Sequence, residues 1–282
     1  MSVAPGEAVK GRGAAHESLR ARLHLHAVLP GLQDVVAEDA EMAALVAGTR
    51  LTVQFRVAGG PAAAVCFADG RCTVRPLDDR AAVGESSSLS PGHEGGGTVT
   101  LFFTSAAQLN RMFDGRGGTP IPLRGFGKLG FMQREFTKLT ERLSYYLKPT
   151  PELFADPDYL AMNTRLMLTT AAFAVPILLE YDPVAAGFRR IFDGGSIALT
   201  VLPDGPSVGL VLSPQRIVAV KGGIDAPTAL IRMRDVHIAS AFLNGTLDTF
   251  AAVACGDVEI SGQLRKVDAL GLVLERVPVY LS

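Results

Sequence analysis

Four groups of residues have the types and spacing that chemistry requires. Gly125-x-Gly127-x-x-Gly130 fits a dinucleotide-binding fingerprint. That motif works only where a strand runs into the glycines and a helix opens from them inside a βαβ unit. Here Pro120 and Pro122 precede the glycines and Gly130 runs on into Phe131-Met132, so a glycine-bent strand is expected. Cys66 and Cys72 flank Asp69-Gly70, which reads as the two-residue turn of a hairpin. Such a turn sets residue 67 opposite 72 and 66 opposite 73, which puts the two thiols on opposite faces, so no disulfide is expected. His24-x-His26 supplies two metal-ligand types without an acidic or thiol cluster to complete a shell, and surface or boundary histidines are expected. Asp235-x-His237 resembles an acid–base pair, yet Asp235 stands where a helix cap is needed. No Gly-x-Ser-x-Gly elbow and no phosphate loop ending in Gly-Lys-Ser/Thr occurs. The reading is of a protein without catalytic residues, metal or cofactor.

The elements around these residues recur. Residues 98–103 alternate, with Val99, Leu101 and Phe103 on one face of a strand. From Ser105 the period becomes helical, with Ala106, Leu109, Met112 and Phe113 on one side, Ser105 as cap and Gly115 as terminator. Residues 228–245 repeat this without a gap: Ala229, Ile231 and Met233 form the strand face, Asp235 caps, and Val236, Ala239, Phe242 and Leu243 form the helix face. Pro30 and Leu32 return as Pro176 and Leu178, and Gly48 returns as Gly194, at one offset of 146 (176 against 30, 194 against 48). Gly127–Phe131 is matched to Gly256–Ile260, and the closing amphipathic helix with Phe136, Leu139, Leu143 and Tyr146 to Leu264, Val267, Gly271 and Leu274. The chain reads as a tandem duplication. The repeat also weakens the single-copy chemistry, because His24 and His26 correspond to Thr170 and Ala172, and His237 to Ala107.

In order, residues 1–15 read as a frayed tail and 16–48 as helix broken near Pro30. Strands follow over 51–57, 62–68 and 71–75, and 77–97 reads as a polar inserted loop. Residues 123–131 read as a strand. The domain expectation is a tail over 1–15, a first domain over 16–149, a linker over 150–157 around Pro149 and Pro151, and a second domain over 158–282. The apolar run 166–179 is short for a membrane span and holds Pro176, so a buried helix is expected. The 282 residues carry a net charge of −1, which offers no electrostatic attraction to nucleic acid. Three cysteines and a start without an apolar signal core point to the cytoplasm.

The hairpin over 62–75, the strand into the Ser105 helix, the Gly127-Lys-Leu-Gly-Phe131 run and their second copies (207–221, 228–245, 256–262) are similar to the sterol carrier protein type 2 (SCP2) family. The resemblance implies an α+β fold of two tandem domains, each a mainly antiparallel, about five-stranded twisted sheet covered by helices on one face around an apolar tunnel. It implies non-catalytic binding of a hydrophobic small molecule such as a fatty acyl chain or other lipid. Expected lining residues are Leu101, Phe103, Met112, Phe113, Phe126, Phe131 and Phe136, with Met233, Phe242, Leu243 and Ile260 in the second copy. The reading leaves room for transient membrane-surface contact. The alternative is an accessory module with closed cores that binds a protein partner.

Overall fold

The computed structural model describes residues 5–77 and 96–281, with side chains from residue 13 onward. The chain forms two compact units, Met1–Leu143 and Ser144–Ser282.

The first unit opens with α1 (Pro5–Leu23), a π-helical turn His24–Val28, α2 (Gly31–Glu38) and α3 (Ala40–Val46). Helix from Pro5 onward takes the place of the frayed tail expected over residues 5–15. Proline suits a first helical position, and Glu7, Ala8, Lys10, Ala14 and Ala15 are strong helix formers. Residues 1–4, and 78–95 of the expected insertion, lie outside the described residues. Five strands follow: β1 (Leu51–Val57), β2 (Ala62–Ala68), β3 (Arg71–Leu77), β4 (Gly97–Phe103) and, beyond α4 (Ala106–Phe113), β5 (Ile121–Arg124). Their order is β3-β2-β1-β4-β5. Leu51, Val53, Phe55 and Val57 are buried while the residues between them are half-exposed, as a strand with one core face requires. Asp69 and Gly70 both have positive φ (51° and 72°), the primed turn that matches strand twist. Cys66 pairs with Thr73 and Phe67 with Cys72, so the thiols do point to opposite faces; both are buried and they form no disulfide. Pro76 and Pro122 sit in the two edge strands.

A 3-10 turn (Phe126–Lys128), a single turn α5 (Leu129–Phe131), a π turn (Met132–Phe136) and α6 (Thr137–Leu147) complete this stretch. The expected strand over 123–131 is thus corrected. Gly125 is left-handed at φ 83°, and there a Cβ would run into the Thr98 carbonyl oxygen. The strand ends where only glycine fits. A strand does precede the Gly125-x-Gly127-x-x-Gly130 run, but it is an antiparallel edge strand and not part of a βαβ unit.

In the second unit a 3-10 turn (Pro151–Ala155) leads into α7 (Pro157–Tyr181), and a further 3-10 segment (Ala185–Ile191) precedes β6 (Gly195–Val201). β7 (Ser207–Leu212), β8 (Ile217–Lys221), β9 (Ala229–Met233), α8 (Val236–Leu243), α9 (Thr249–Cys255), β10 (Val258–Gly262), α10 (Leu264–Leu274) and α11 (Val277–Leu281) follow. The order β8-β7-β6-β9-β10 repeats that of the first sheet. By length and composition α7 could cross a membrane, but 72% of its most apolar window is buried inside the protein. It is the core helix of its unit.

Both sheets are mixed: in each, three of the four strand pairings are antiparallel, in keeping with a mainly antiparallel sheet, and one is parallel. The central pairs β1–β4 and β6–β9 are parallel. The reason is topological. One edge of the first strand is occupied by its hairpin partner, so the later strand takes the other edge, and it runs parallel because it enters the sheet at the end where the first strand began. In the second unit residues 222–228 make that connection. Ile224 lies against the face that Gly209 exposes, where any Cβ would collide with it.

The expected match of Gly127 with Gly256 is also corrected: the glycines in like positions at the ends of the edge strands of the two sheets are Gly125 and Gly262. Both have φ 83°, and at both an added Cβ would run into a carbonyl oxygen near the start of the neighbouring strand, Thr98 or Thr228. The paired caps are as expected: Ser105 accepts from Gln108 N at 3.2 Å and Asp235 from Ile238 N at 2.9 Å. Gly115 and Gly245 follow the two helices at φ 70° and 68°. Ser105→Ala and Asp235→Ala should each lower stability by about 1 kcal/mol. Urea unfolding of the two variants checks this, with Ser105→Gly, expected to lose only a few tenths of that, as control.

Candidate ligand-binding site

In the first unit β1, β2 and β4 present Phe55, Phe67 and Phe103 towards the helices, all fully buried. Phe131 and Phe136, from the irregular helical segment after β5, complete the layer. Ring centroids lie 5.9 Å apart for Phe55–Phe136, 5.6 Å for Phe67–Phe131 and 6.3 Å for Phe67–Phe136. Tilted and edge-on contacts of this kind add to the burial of aromatic surface. Leu101 and Phe136 are buried, whereas Met112, Phe113 and Phe131 are half-buried. Phe126 is not part of the layer. It is 64% exposed, because the 3-10 turn that starts after left-handed Gly125 leaves it outside, and Ile121 and Leu123 of β5 are exposed with it.

In the second unit Met233 is fully buried and Phe242, Leu243 and Ile260 are half-buried. The corresponding layer is aliphatic, with Ile197, Leu199, Val201, Leu210 and Leu212 buried. Two open clefts are present among the described residues, one of about 370 Å³ between Arg190–Asp193 and the start of α10 and one of about 380 Å³ between Leu45 and residues 133–141. None of the expected lining residues borders either cleft.

Polar groups gather on the seam between α1 and α4. Arg20 holds Asp114 through two hydrogen bonds, at 3.0 and 2.6 Å. Asn110 Nδ2 donates to the Glu17 carbonyl at 2.9 Å and to its carboxylate at 2.6 Å. His24 stacks on Phe113 with ring centroids 4.5 Å apart. His24 is only 7% exposed, which corrects the expectation of a surface or boundary residue: the π turn places it on the buried side of the helix. Burial pushes its pKa down to about 4, Arg20 adds to the drop and Asp114 opposes it. His26 contacts the Ala62 carbonyl oxygen at 3.1 Å. Among the described residues no group of three or more His, Cys, Asp or Glu is placed to hold a metal ion.

No protein-family model matches the chain, and no curated protein matches it. Solved structures do. A UbiJ-SCP2 ubiquinone synthesis protein matches at 15% identity and TM-score 0.31, over 39% of this chain and 94% of that one. A conserved protein of Thermus thermophilus, described as possibly a sterol carrier protein, matches at 23% identity and TM-score 0.27, over 35% of this chain and 79% of its own. Palmitated SCP2L2 of Aedes aegypti matches at 17% identity and TM-score 0.23, over 35% of this chain and 94% of its own. At these identities and scores the likenesses concern chain path over part of the protein, and neither ligand nor activity follows from them.

Sequence reasoning missed three features. α9 was signalled by Asp248, which caps it, and by left-handed Gly256, which ends it. The burial of His24 and the buried network around Asp182 carried no local signal.

Proposed function

We propose that the chain is a tandem pair of SCP2-like domains and that its first unit binds a hydrophobic small molecule, such as a fatty acyl chain, without catalysis. The observation that carries this is the construction of the aromatic layer. One side, formed by β1, β2 and β4, is rigid. The other, Phe126–Phe136, is built from a 3-10 turn, a single α turn and a π turn, with half-buried Phe131 inside and exposed Phe126 outside. Short irregular helical pieces open at lower cost than continuous helices. An acyl chain that entered beneath them would replace ring contacts with contacts of equal apolarity.

Displacement of a fluorescent fatty acid should saturate at defined stoichiometry, and native mass spectrometry should show adducts of lipid mass. Phe131→Ala should weaken probe binding severalfold while a half-buried ring costs little stability. A clean apo mass together with no probe binding overturns the proposal and leaves the closed-core interaction module.

A further inference from the structure

Both ring nitrogens of His24 are buried without a hydrogen-bond partner, and so is Oδ1 of Asn110. Buried polar atoms of this kind are rare and costly, so three on one seam call for an explanation. His24 faces α4 through its stack on Phe113, and Asn110 lies three residues earlier on the same helix. The histidine opens the π turn, a distortion that recurs at functional positions. Phe113 is half-buried, is the last residue of α4, and is followed by Gly115, Gly117 and Gly118, all at positive φ.

We propose that His24 recognises a hydroxyl at the polar end of the bound hydrophobic molecule. This rests on the binding reading above and specifies the ligand's end group. A neutral imidazole offers one donor and one acceptor on opposite edges of the ring, and a hydroxyl, which can both donate and accept, can pair with whichever edge it meets. The surroundings keep the ring neutral: it is buried and lies near Arg20. A carboxylate is disfavoured because it can only accept, while the seam already holds the Asn110 oxygen and the carboxylates of Glu17 and Asp114.

The test uses the full chain and competition against a fluorescent fatty-acid probe by 1-dodecanol and by 1-chlorododecane. Wild type should prefer the alcohol. His24→Leu should weaken dodecanol about fivefold to tenfold and leave chlorododecane unchanged, with His24→Gln restoring part of the preference. In the wild-type protein, dodecanol and not chlorododecane should shift the ring nitrogen resonances of His24, a readout that needs no variant to fold. Unchanged selectivity in His24→Leu, or unmoved resonances at saturation, overturns the assignment while probe binding itself stands. A wild-type protein that binds no probe overturns the binding reading and this one with it.

Discussion

Asp182→Ala should destabilise the second unit by about 3–5 kcal/mol, the range for removing one partner of a buried charged network. Asp182 follows α7 and its side chain is fully buried. One carboxylate oxygen accepts from Val184 N at 2.8 Å and Ala185 N at 2.7 Å, capping the next turn. The other accepts from Arg276 Nε at 3.2 Å, Arg276 Nη2 at 3.0 Å and the Tyr280 hydroxyl at 2.6 Å. Alanine would leave a guanidinium, a phenol and two amides without their acceptor. Hydrogen exchange in urea, followed at α7 and α11, reads the loss where it occurs. The pH dependence has a definite sign. Burial pushes the Asp182 carboxyl up, but the bonds from Tyr280, Ala185 N and Arg276 together outweigh it and hold it below the usual carboxylate range. Its stabilisation is therefore complete above the unfolded value of about 3.9 and is lost as pH falls through the lower folded value. Asp182→Ala should remove that part of the acid sensitivity.

Gly125→Ala and Gly262→Ala should each cost about 3 kcal/mol or more, from left-handed backbone and backbone overlap combined. At Gly262 a Cβ would run into the Thr228 oxygen and lie 3.1 Å from Ala229 Cα. At Gly125 it would run into the Thr98 oxygen and lie 2.9 Å from Val99 Cα. Neither obstacle is a side chain that can rotate away. Thr228 O is further fixed by accepting from Gln263 N at 2.9 Å. Gly127→Ala is the control: its φ is ordinary and nothing lies within 4 Å of a Cβ there. Denaturation of the three variants should separate Gly127→Ala from the other two. Equal stability of all three would contradict the backbone overlap at Gly125 and Gly262, and a difference between those two would contradict their equivalence.

These two sites mark what was legible in the sequence. The Asp69-Gly70 turn, the Ser105 and Asp235 caps and the alternation in β1 are encoded by neighbours within a few residues, and all formed where local chemistry placed them. The parallel β1–β4 pairing is set by which edge the hairpin leaves free, and no residue near β4 announces it. The Gly125–Gly262 correspondence was obscured because Ile-Pro-Leu-Arg precedes one and Val-Glu-Ile-Ser the other. Three closely spaced glycines then drew the eye to the wrong partner. The lining residues were legible as apolar but not as exposed or buried. Phe126 and Phe131 look alike in the sequence, and a left-handed glycine followed by a 3-10 turn puts one outside and the other against Phe67.

The prolines in the edge strands of the first sheet bear on how molecules of this protein meet one another. Pro76 in β3 and Pro122 in β5 each remove an amide donor from an outer row of hydrogen-bonding groups. A strand from another molecule laid along either edge would meet a gap in the ladder, which is how natural sheets resist fibril-like growth. β8 and β10 contain no proline. Sheet-to-sheet association, if concentration or partial unfolding drives it, is thus directed to the second unit, and a proline placed in β8 is the natural way to suppress it.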